Sequence, residues 1–516
     1  MAPETSSRSS SQIRTEISTL FGTVAATYGL SLVGILPSLV VTYFSTRLFA
    51  PEIVGQFGLI SMVASLVQSI GFVWLSNALI RFGREEYIQT GGVRQTFRVR
   101  LILLSAIWLA TLLGFAMLYY FTHDLLSTWT GLSGQYLWAV PLFITLGVLG
   151  AELSGYLRVF GKYTQLAGAT LVNQVFYAVV LILLYTYLGI GGIGWLIALA
   201  VGGYLSQWLY LLLWLKQDNF RLGITLGAKD ALPRTVTYSV PAIGTSVLSY
   251  VYKPIELSLI RQFVSIGAVG LFDTASSLNT VLSRFVMSFS NLMFPILQGL
   301  RATGNPETMR SYYQRVVPQV TVLFALFVSG CLVCIPRLIL LLLGEQYHPA
   351  MGAFLILAYG EIPHMTTALQ SSFSAVYDRT IQALWVLVLQ YVFELGCYFV
   401  LIPRIGIEGA AWGWASAYLA SAFLLTHYVS REFGVYRRAY LAVGLSAILG
   451  MLALFLAESG MPFIMRLLAL LGMTIAAVII AKKAKLFARQ DVKLLLATGI
   501  PKFLHAPLQF AYRILG

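Results

Sequence analysis

The chain has 516 residues, of which 58% are hydrophobic and only 10% charged, and its formal net charge is +14. A soluble globular domain carries ~25% charged residues, so this composition excludes one and leaves an integral membrane protein whose surplus Lys and Arg face anionic lipid rather than nucleic acid. No GxxxxGK[ST] phosphate loop, HExxH motif or metal-spaced Cys/His cluster occurs, which excludes ATP hydrolysis through such a loop and zinc-hydrolase chemistry.

The opening stretch MAPETSSRSSSQIRTE is polar and Ser-rich, and the first apolar run, roughly Thr23 to Tyr43, is too long for the core of a signal peptide. Residues 1–22 are therefore read as a cytoplasmic segment and the run as a retained first span. A bilayer-crossing helix needs about 20 mostly apolar residues. Runs of that length, separated by short polar breaks, have cores at 24–45, 54–76, 101–121, 136–157, 166–188, 193–215, 238–262, 267–297, 317–342, 349–376, 382–402, 408–429, 439–457 and 462–481. They predict an all-α integral membrane protein of about 14 transmembrane helices, numbered below as spans 1 to 14.

Charge placement sets the orientation. With a cytoplasmic N-terminus, 27 of the 34 Lys and Arg residues fall on cytoplasmic segments, as the positive-inside rule requires. Five fall outside (Arg47, Arg261, Arg337, Arg404 and Arg466), and Lys253 and Arg284 lie within spans. Both termini are expected in the cytoplasm of a multi-pass cell-membrane protein. The longest outer loop is THDLLSTWTGLSGQ, Thr122 to Gln135, too short for an extracytoplasmic catalytic domain.

The run RLFAPEIVGQF, Arg47 to Phe57, returns as RQFVSIGAVGLF, Arg261 to Phe272, and GIGGIGW at Gly189 to Trp195 returns as GIEGAAW at Gly406 to Trp412. The two echoes share nearly one offset, which predicts parallel repeats in which spans 1–6 match spans 7–12. The division that follows is an N-lobe at 23–216, a cytoplasmic linker at 217–237, a C-lobe at 238–431, spans 13 and 14 at 432–482, and a basic amphipathic tail at 483–516. Two similar lobes can rock about a central site, which is a transporter plan.

Polar residues fall in stripes. On span 8, Asp273, Ser277, Thr280, Arg284, Ser288 and Asn291 recur at steps of three or four and so share one helical face. Span 7 carries Ser239, Ser246, Ser249, Lys253 and Glu256. The first-half counterparts are Ser31, Ser38, Thr42 and Ser45 on span 1, and Ser61, Ser65, Ser69 and Ser76 on span 2. Small hydroxyl residues also serve as helix-packing faces. An Arg within a span costs roughly 2.5–3.5 kcal/mol and normally faces a bundle interior or water, so Arg284 is the foremost candidate.

Lys253 and Glu256, three residues apart, either neutralise each other or face a cavity. Pro254 between them is expected to loosen the helix near the Tyr250 carbonyl. Glu152, Glu361 with His364 one turn on, and Glu394 are further embedded groups able to carry H+ or bind Na+. Arg81, Arg84, Glu85 and Glu86 are read as a solvated inner end of span 2, with guidance of anionic headgroups inward as the alternative. The three cysteines are Cys331, Cys334 and Cys397; the first two form a CLVC within an apolar helix and are read as packing rather than as a redox or metal site.

These features together resemble the multidrug/oligosaccharidyl-lipid/polysaccharide exporter superfamily, and within it the polysaccharide (O-antigen/oligosaccharide) flippase branch. The phrases that carry the resemblance are RLFAPEIVGQFGLI, VGLFDTASSLNTVL, LLLGEQYHPAMGAFLILA and PRIGIEGAAWGWASAYL, in that order along roughly residues 20 to 480. Span 1 has no cation between Thr23 and Thr46, unlike the lipid II flippases of the superfamily.

The resemblance implies two pseudo-symmetric six-helix lobes plus two C-terminal helices. It further implies a secondary-type flippase, not an enzyme, moving a polyprenyl-pyrophosphate-linked oligosaccharide to the outer leaflet by alternating access. Lys253 and Arg284 would hold the pyrophosphate or acidic sugars, with Ser277, Thr280, Ser249, Ser65 and Ser69 on sugar hydroxyls. Glu394, Glu256 and Asp273 are the candidates for ion coupling, by Na+ or H+, with no other cofactor. The implied partners are the lipid-linked oligosaccharide, anionic phospholipids and other polysaccharide-assembly membrane proteins, with no nucleic acid and a monomer as the unit. A cation-coupled multidrug exporter and a membrane glycan polymerase or ligase are the alternatives.

Overall fold

The computed structural model describes residues 29–30, 33–130, 136–188, 192–217, 233, 235–236, 252–302, 306–376, 380–433, 437–484 and 486. The expected terminal segment 1–22, most of the linker 217–237, and the tail beyond residue 486 lie outside them. So do Ser31, Ser239, Ser246 and Ser249.

Span 1 is helical over Ile35–Leu48, span 3 over Gln95–Thr130, span 4 over Ala139–Val159, span 5 over Tyr163–Leu188 and span 6 over Ile193–Gln217. Residues 252–263 are helical in span 7, followed by Ile266–Ala302 for span 8 and Pro306–Cys334 for span 9. Ala350–Val376, Thr380–Ile405, Ile407–Phe433, Arg437–Glu458 and Phe463–Lys483 complete spans 10 to 14. Among the described residues, nine helices are long and apolar enough to cross a bilayer. The protein is an all-α, multi-pass membrane protein.

Three local departures from the expected elements have physical causes. Span 2 is not one helix: Pro51–Gln68 passes into a π-helical turn, Ser69–Val73, before Trp74–Thr90 continues inward. The wider turn contains Gly71, and Ser69 Oγ donates to the Ser65 carbonyl at 2.7 Å, tying one loosened turn to the helix before it. Span 9 breaks at Pro336, which starts a separate short helix, Pro336–Leu342, because proline lacks the amide to continue the first. The stretch expected as the longest outer loop is helical as far as Thr130, so the loop is shorter than the sequence indicated; residues 131–135 are outside the description.

The packing repeats as the sequence does. In the first six spans, 2 packs on 4, 4 on 6 and 5 on 6; in the next six, 8 packs on 10, 10 on 12 and 11 on 12. Span 1 lies on span 5, and its counterpart span 7 meets span 11 through a Tyr252–Tyr391 ring stack at 5.1 Å. Spans 13 and 14 pack against span 9 on the outside of the C-lobe.

The lobes join where span 2 crosses span 8, at Gly55 and Gly270, which are the equivalent glycines of the echoed RLFAPEIVGQF and RQFVSIGAVGLF. A Cβ on Gly55 would overlap the Ile266 carbonyl oxygen, and one on Gly270 would overlap that of Pro51, so backbones touch and only glycine fits either place. Nearby, Arg47 Nη1 donates to the Leu342 carbonyl at 2.6 Å and Nη2 to that of Leu341 at 3.1 Å, capping the open C-terminus of the helix Pro336–Leu342 with a cation. Gln346 Nε2 donates to the Thr46 and Phe49 carbonyls, each at 3.1 Å, and Tyr347 Oη to that of Phe49 at 3.0 Å. The end of span 1 is thus latched to the turn after span 9.

Candidate functional site

Span 8 presents two faces. Phe272, Ala275, Leu278, Leu282 and Val286 are buried. Ser277 and Thr280 are exposed, with Asp273 and Arg284 half-buried, on the face predicted to be polar. Thr280 Oγ1 donates to the Ser276 carbonyl at 3.0 Å. The side chains of Ser288 and Asn291 lie outside the description.

Arg284 reaches across to the N-lobe. With the Gln174 amide of span 5 in the orientation that satisfies both its ends, its oxygen accepts from Arg284 Nη2 at 2.9 Å and lies 3.3 Å from Ser38 Oγ. Its nitrogen donates to the Gly34 carbonyl at 2.9 Å. One guanidinium of span 8 is therefore connected through a single amide to spans 1 and 5. On span 1, Ser38, Thr42 and Thr46 each donate a hydroxyl to the carbonyl one turn back, the local way to satisfy a hydroxyl in a slab without bulk water.

The second cluster lies between spans 7 and 11. Lys253 Nζ is 2.9 Å from Glu256 Oε2 and 4.7 Å from the centre of the Phe272 ring, and its side chain is 37% exposed. Lys253 pairs with Glu256 and remains partly open at once. Asp273 of span 8 is within electrostatic reach of this lysine. From residue 252 the chain is helical through Pro254; the turn before it, with Tyr250, is outside the description.

Glu256 and Glu394 are both buried, and the Tyr398 hydroxyl stands between them, 2.8 Å from Glu256 Oε1 and 2.6 Å from Glu394 Oε1. Glu394 Oε2 has no hydrogen-bond partner among the described residues. Tyr398 lies one turn from Glu394, a spacing that points to this contact once both are known to be inside a span.

The other embedded acids have structural partners. Glu361 accepts from Asn279 Nδ2 at 2.7 Å and from Ser283 Oγ, and His364 Nδ1 is 2.9 Å from its other oxygen. Asn279 and Ser283 sit off the predicted stripe, on the face of span 8 turned to span 10. Glu152 is held by Arg100 of span 3, whose Nε lies 2.9 and 3.0 Å from its two oxygens, with Nη2 adding a further contact. Ser69 is buried and Ser65 exposed.

At the inner end of span 2, the Glu86 carboxylate accepts the amides of Arg94, Gln95 and Thr96 at 2.6–2.8 Å and so caps the start of span 3. Arg84 Nη1 donates to the Val159 carbonyl at 2.7 Å. Both residues hold helix ends, a role finer than the solvated end expected.

A cavity of about 400 Å³ opens inside the N-lobe, bounded by spans 2, 4, 5 and 6. Its polar wall is Ser61, Thr170, Asn173 and Gln207, and its rings include Phe57, Phe143, Tyr177 and Tyr204. The sequence reading missed it, although the adjacent amides Asn173 and Gln174 in an otherwise apolar run are a signal of the kind that marks a working helix.

Comparison with known proteins places this geometry in context. The profile described as polysaccharide biosynthesis protein matches residues 45–352, more than half of the chain. The probable low-salt glycan biosynthesis flippase of Haloferax volcanii is 23% identical over 201 residues, covering 37% of this chain and 41% of that one. The chain thus spans about two fifths of the length of that relative.

A lipid II flippase, MurJ, in an inward closed conformation superposes with a TM-score of 0.65 at 14% identity, over 90% of this chain and 99% of its own. An inward-facing multidrug resistance MATE family transporter of the MOP superfamily gives 0.63 at 14% identity, over 80% and 98%. These likenesses show the fold, the two-lobed helical plan of MOP transporters. With the profile lying across both lobes and the joint between them, the chain belongs to the polysaccharide biosynthesis protein family.

Proposed function

We propose that the protein is a flippase, carrying a polyprenyl-pyrophosphate-linked oligosaccharide from the cytoplasmic to the outer leaflet by alternating access of its lobes, for surface polysaccharide or glycoconjugate assembly. The observation that carries this reading is Arg284, a guanidinium between the lobes on a face that also bears Ser277 and Thr280. A pyrophosphate headgroup cannot cross hydrocarbon unaided, and a guanidinium in a low-dielectric site is well matched to it. The family and the glycan-flippase relative support the same substrate class. The Lys and Arg distribution supports cytoplasmic termini, which would put the latched end, Thr46–Phe49 against Gly344–Tyr347, at the outer face and leave the inner end for loading.

In full-length protein in lipid nanodiscs, farnesyl pyrophosphate should bind, and Arg284→Ala should weaken it about tenfold or more, the worth of a hydrogen bond to a charged group. Binding of tetraphenylphosphonium but not farnesyl pyrophosphate, unaffected by Arg284→Ala, would instead identify a cation-coupled drug exporter. Among the described residues the N-lobe cavity has no carboxylate on its wall, which disfavours that alternative.

The Glu394–Tyr398–Glu256 cluster fits coupling to H+. One phenolic hydrogen cannot serve two carboxylates at 2.6 and 2.8 Å, so the arrangement accommodates one further proton. Lys253 balances Glu256, which leaves Glu394 as the carrier. Glu394→Gln should abolish the acceleration of flipping by an imposed pH gradient, measured with a fluorescent lipid-linked sugar in proteoliposomes; an undiminished response would remove Glu394 from coupling.

A further inference from the structure

The N-lobe cavity is chemically unlike the charged region on spans 7, 8 and 11. Among the described residues its wall carries no ionised side chain, so there neither a pyrophosphate nor an organic cation meets a counter-charge. Asn173, Gln207 and Ser61 line it and make no hydrogen bond to any described residue, although each amide offers both donors and an acceptor. Both amides are partly exposed to the cavity, so their donors and acceptors are open to whatever enters it.

Rings line the same cavity, one turn from each of these groups: Phe57 from Ser61, Tyr177 from Asn173 and Tyr204 from Gln207. Phe143 and Tyr204 lie 6.4 Å apart, tilted by 52°, and Tyr177 forms a further part of the wall. Gly203 allows this: a Cβ there would overlap the Tyr177 ring, so the glycine lets spans 5 and 6 close while the tyrosine keeps its place beside the cavity.

Neutral groups that both donate and accept, beside aromatic rings in a cavity of about 400 Å³, match a ligand with hydroxyl edges and C–H faces. We propose that this cavity is a saccharide subsite: it takes a neutral pyranose ring of the cargo, with Asn173, Gln207 and Ser61 on its hydroxyls and Tyr204 and Phe143 against its C–H face. The assignment rests on the flippase reading and deepens it. Arg284 of the C-lobe holds the pyrophosphate, and the N-lobe reads the sugar.

The test uses full-length protein in nanodiscs and measures affinity for bare farnesyl pyrophosphate and for farnesyl-pyrophosphoryl monosaccharides bearing glucose, galactose, mannose or N-acetylglucosamine. At least one glycoside should bind about tenfold tighter than the bare pyrophosphate, as one or two added hydrogen bonds with ring contact would give. Asn173→Ala combined with Gln207→Ala should bring that ratio to about one. Arg284→Ala should weaken both ligands alike and preserve the ratio. A ratio unchanged in the double variant, or no sugar that raises affinity, overturns the subsite while bare pyrophosphate binding leaves the flippase reading standing. If neither pyrophosphate ligand binds, the flippase reading fails and the subsite with it.

Discussion

Arg100 and Glu152 show how a single residue's role depends on its neighbour. Glu152 stands alone in the sequence as an acid in an apolar run, a candidate to carry a proton. In the fold it faces a guanidinium from a helix 52 residues away, and the pair is buried, with Arg100 only 3% exposed. Removing one partner strands the other charge, so Arg100→Ala should destabilise by about 3–5 kcal/mol. Thermal unfolding in detergent should show the loss, and replacing both partners with neutral residues of similar size should recover most of it. Glu361 is a similar case, surrounded by Asn279, Ser283 and His364. Only His364 was legible beforehand, because a three-residue spacing on a helix announces a contact whereas a partner on another helix does not. Lys253 and Glu256 were legible for the same reason, while Gln174 beside Arg284 was not.

Elements came closer to expectation than partners did. Length and hydropathy alone place the helices, since a span must be about 20 apolar residues whatever it packs against. What escapes that argument is the irregularity inside a span. The π-turn Ser69–Val73 leaves no mark in hydropathy, because its residues are as apolar as their neighbours. The cap on span 3 was also hidden, as Glu86 lies at the end of the preceding helix and the amides it accepts are eight to ten residues on. Burial pushes the Glu86 carboxyl up, but the amides of Thr96, Gln95 and Arg94 together outweigh it, and its pKa lies below the ordinary 4.5. A lowered carboxyl contributes its full stability above the unfolded-state value and loses it as pH falls through the folded one. Glu86→Gln should therefore lower stability by about 1 kcal/mol at neutral pH, an amount typical of a cap and modest because the group is partly solvated. The difference from the parent protein should shrink as pH falls below the ordinary value of 4.5 and be lost once pH is below the folded-state value, as read from melting curves across pH; a constant difference would mean that charge is not involved.

At the scale of the whole molecule, the lobes meet where two copies of one motif meet. Gly55 and Gly270 are equivalent in the repeat and lie against each other's helix, so the pseudo-symmetry written in the chain passes through their contact. Any side chain at Gly270 would overlap the Pro51 carbonyl. Gly270→Leu should hold the lobes apart at this end, stop flipping, and raise the labelling of a cysteine placed at Ser277; normal flipping with unchanged labelling would show that the contact is dispensable. Loosening the nearby latch with Gln346→Ala should act in the same direction more weakly, since it removes two hydrogen bonds at about 1 kcal/mol each. Composition, span length, charge asymmetry and the internal echo were enough to determine a membrane-spanning, helical, two-lobed protein. Those properties follow from transfer free energy and helix geometry, which act on each segment by itself. Which polar groups face one another was decided only by the packing of helices distant in the chain. It joined Arg284 to Gln174, locked Glu152 to Arg100, and set Asn173 and Gln207 around a cavity that no single span contains. Hydrogen bonds and ion pairs act over a few ångströms, and a linear pattern records which groups a helix offers without recording which it meets.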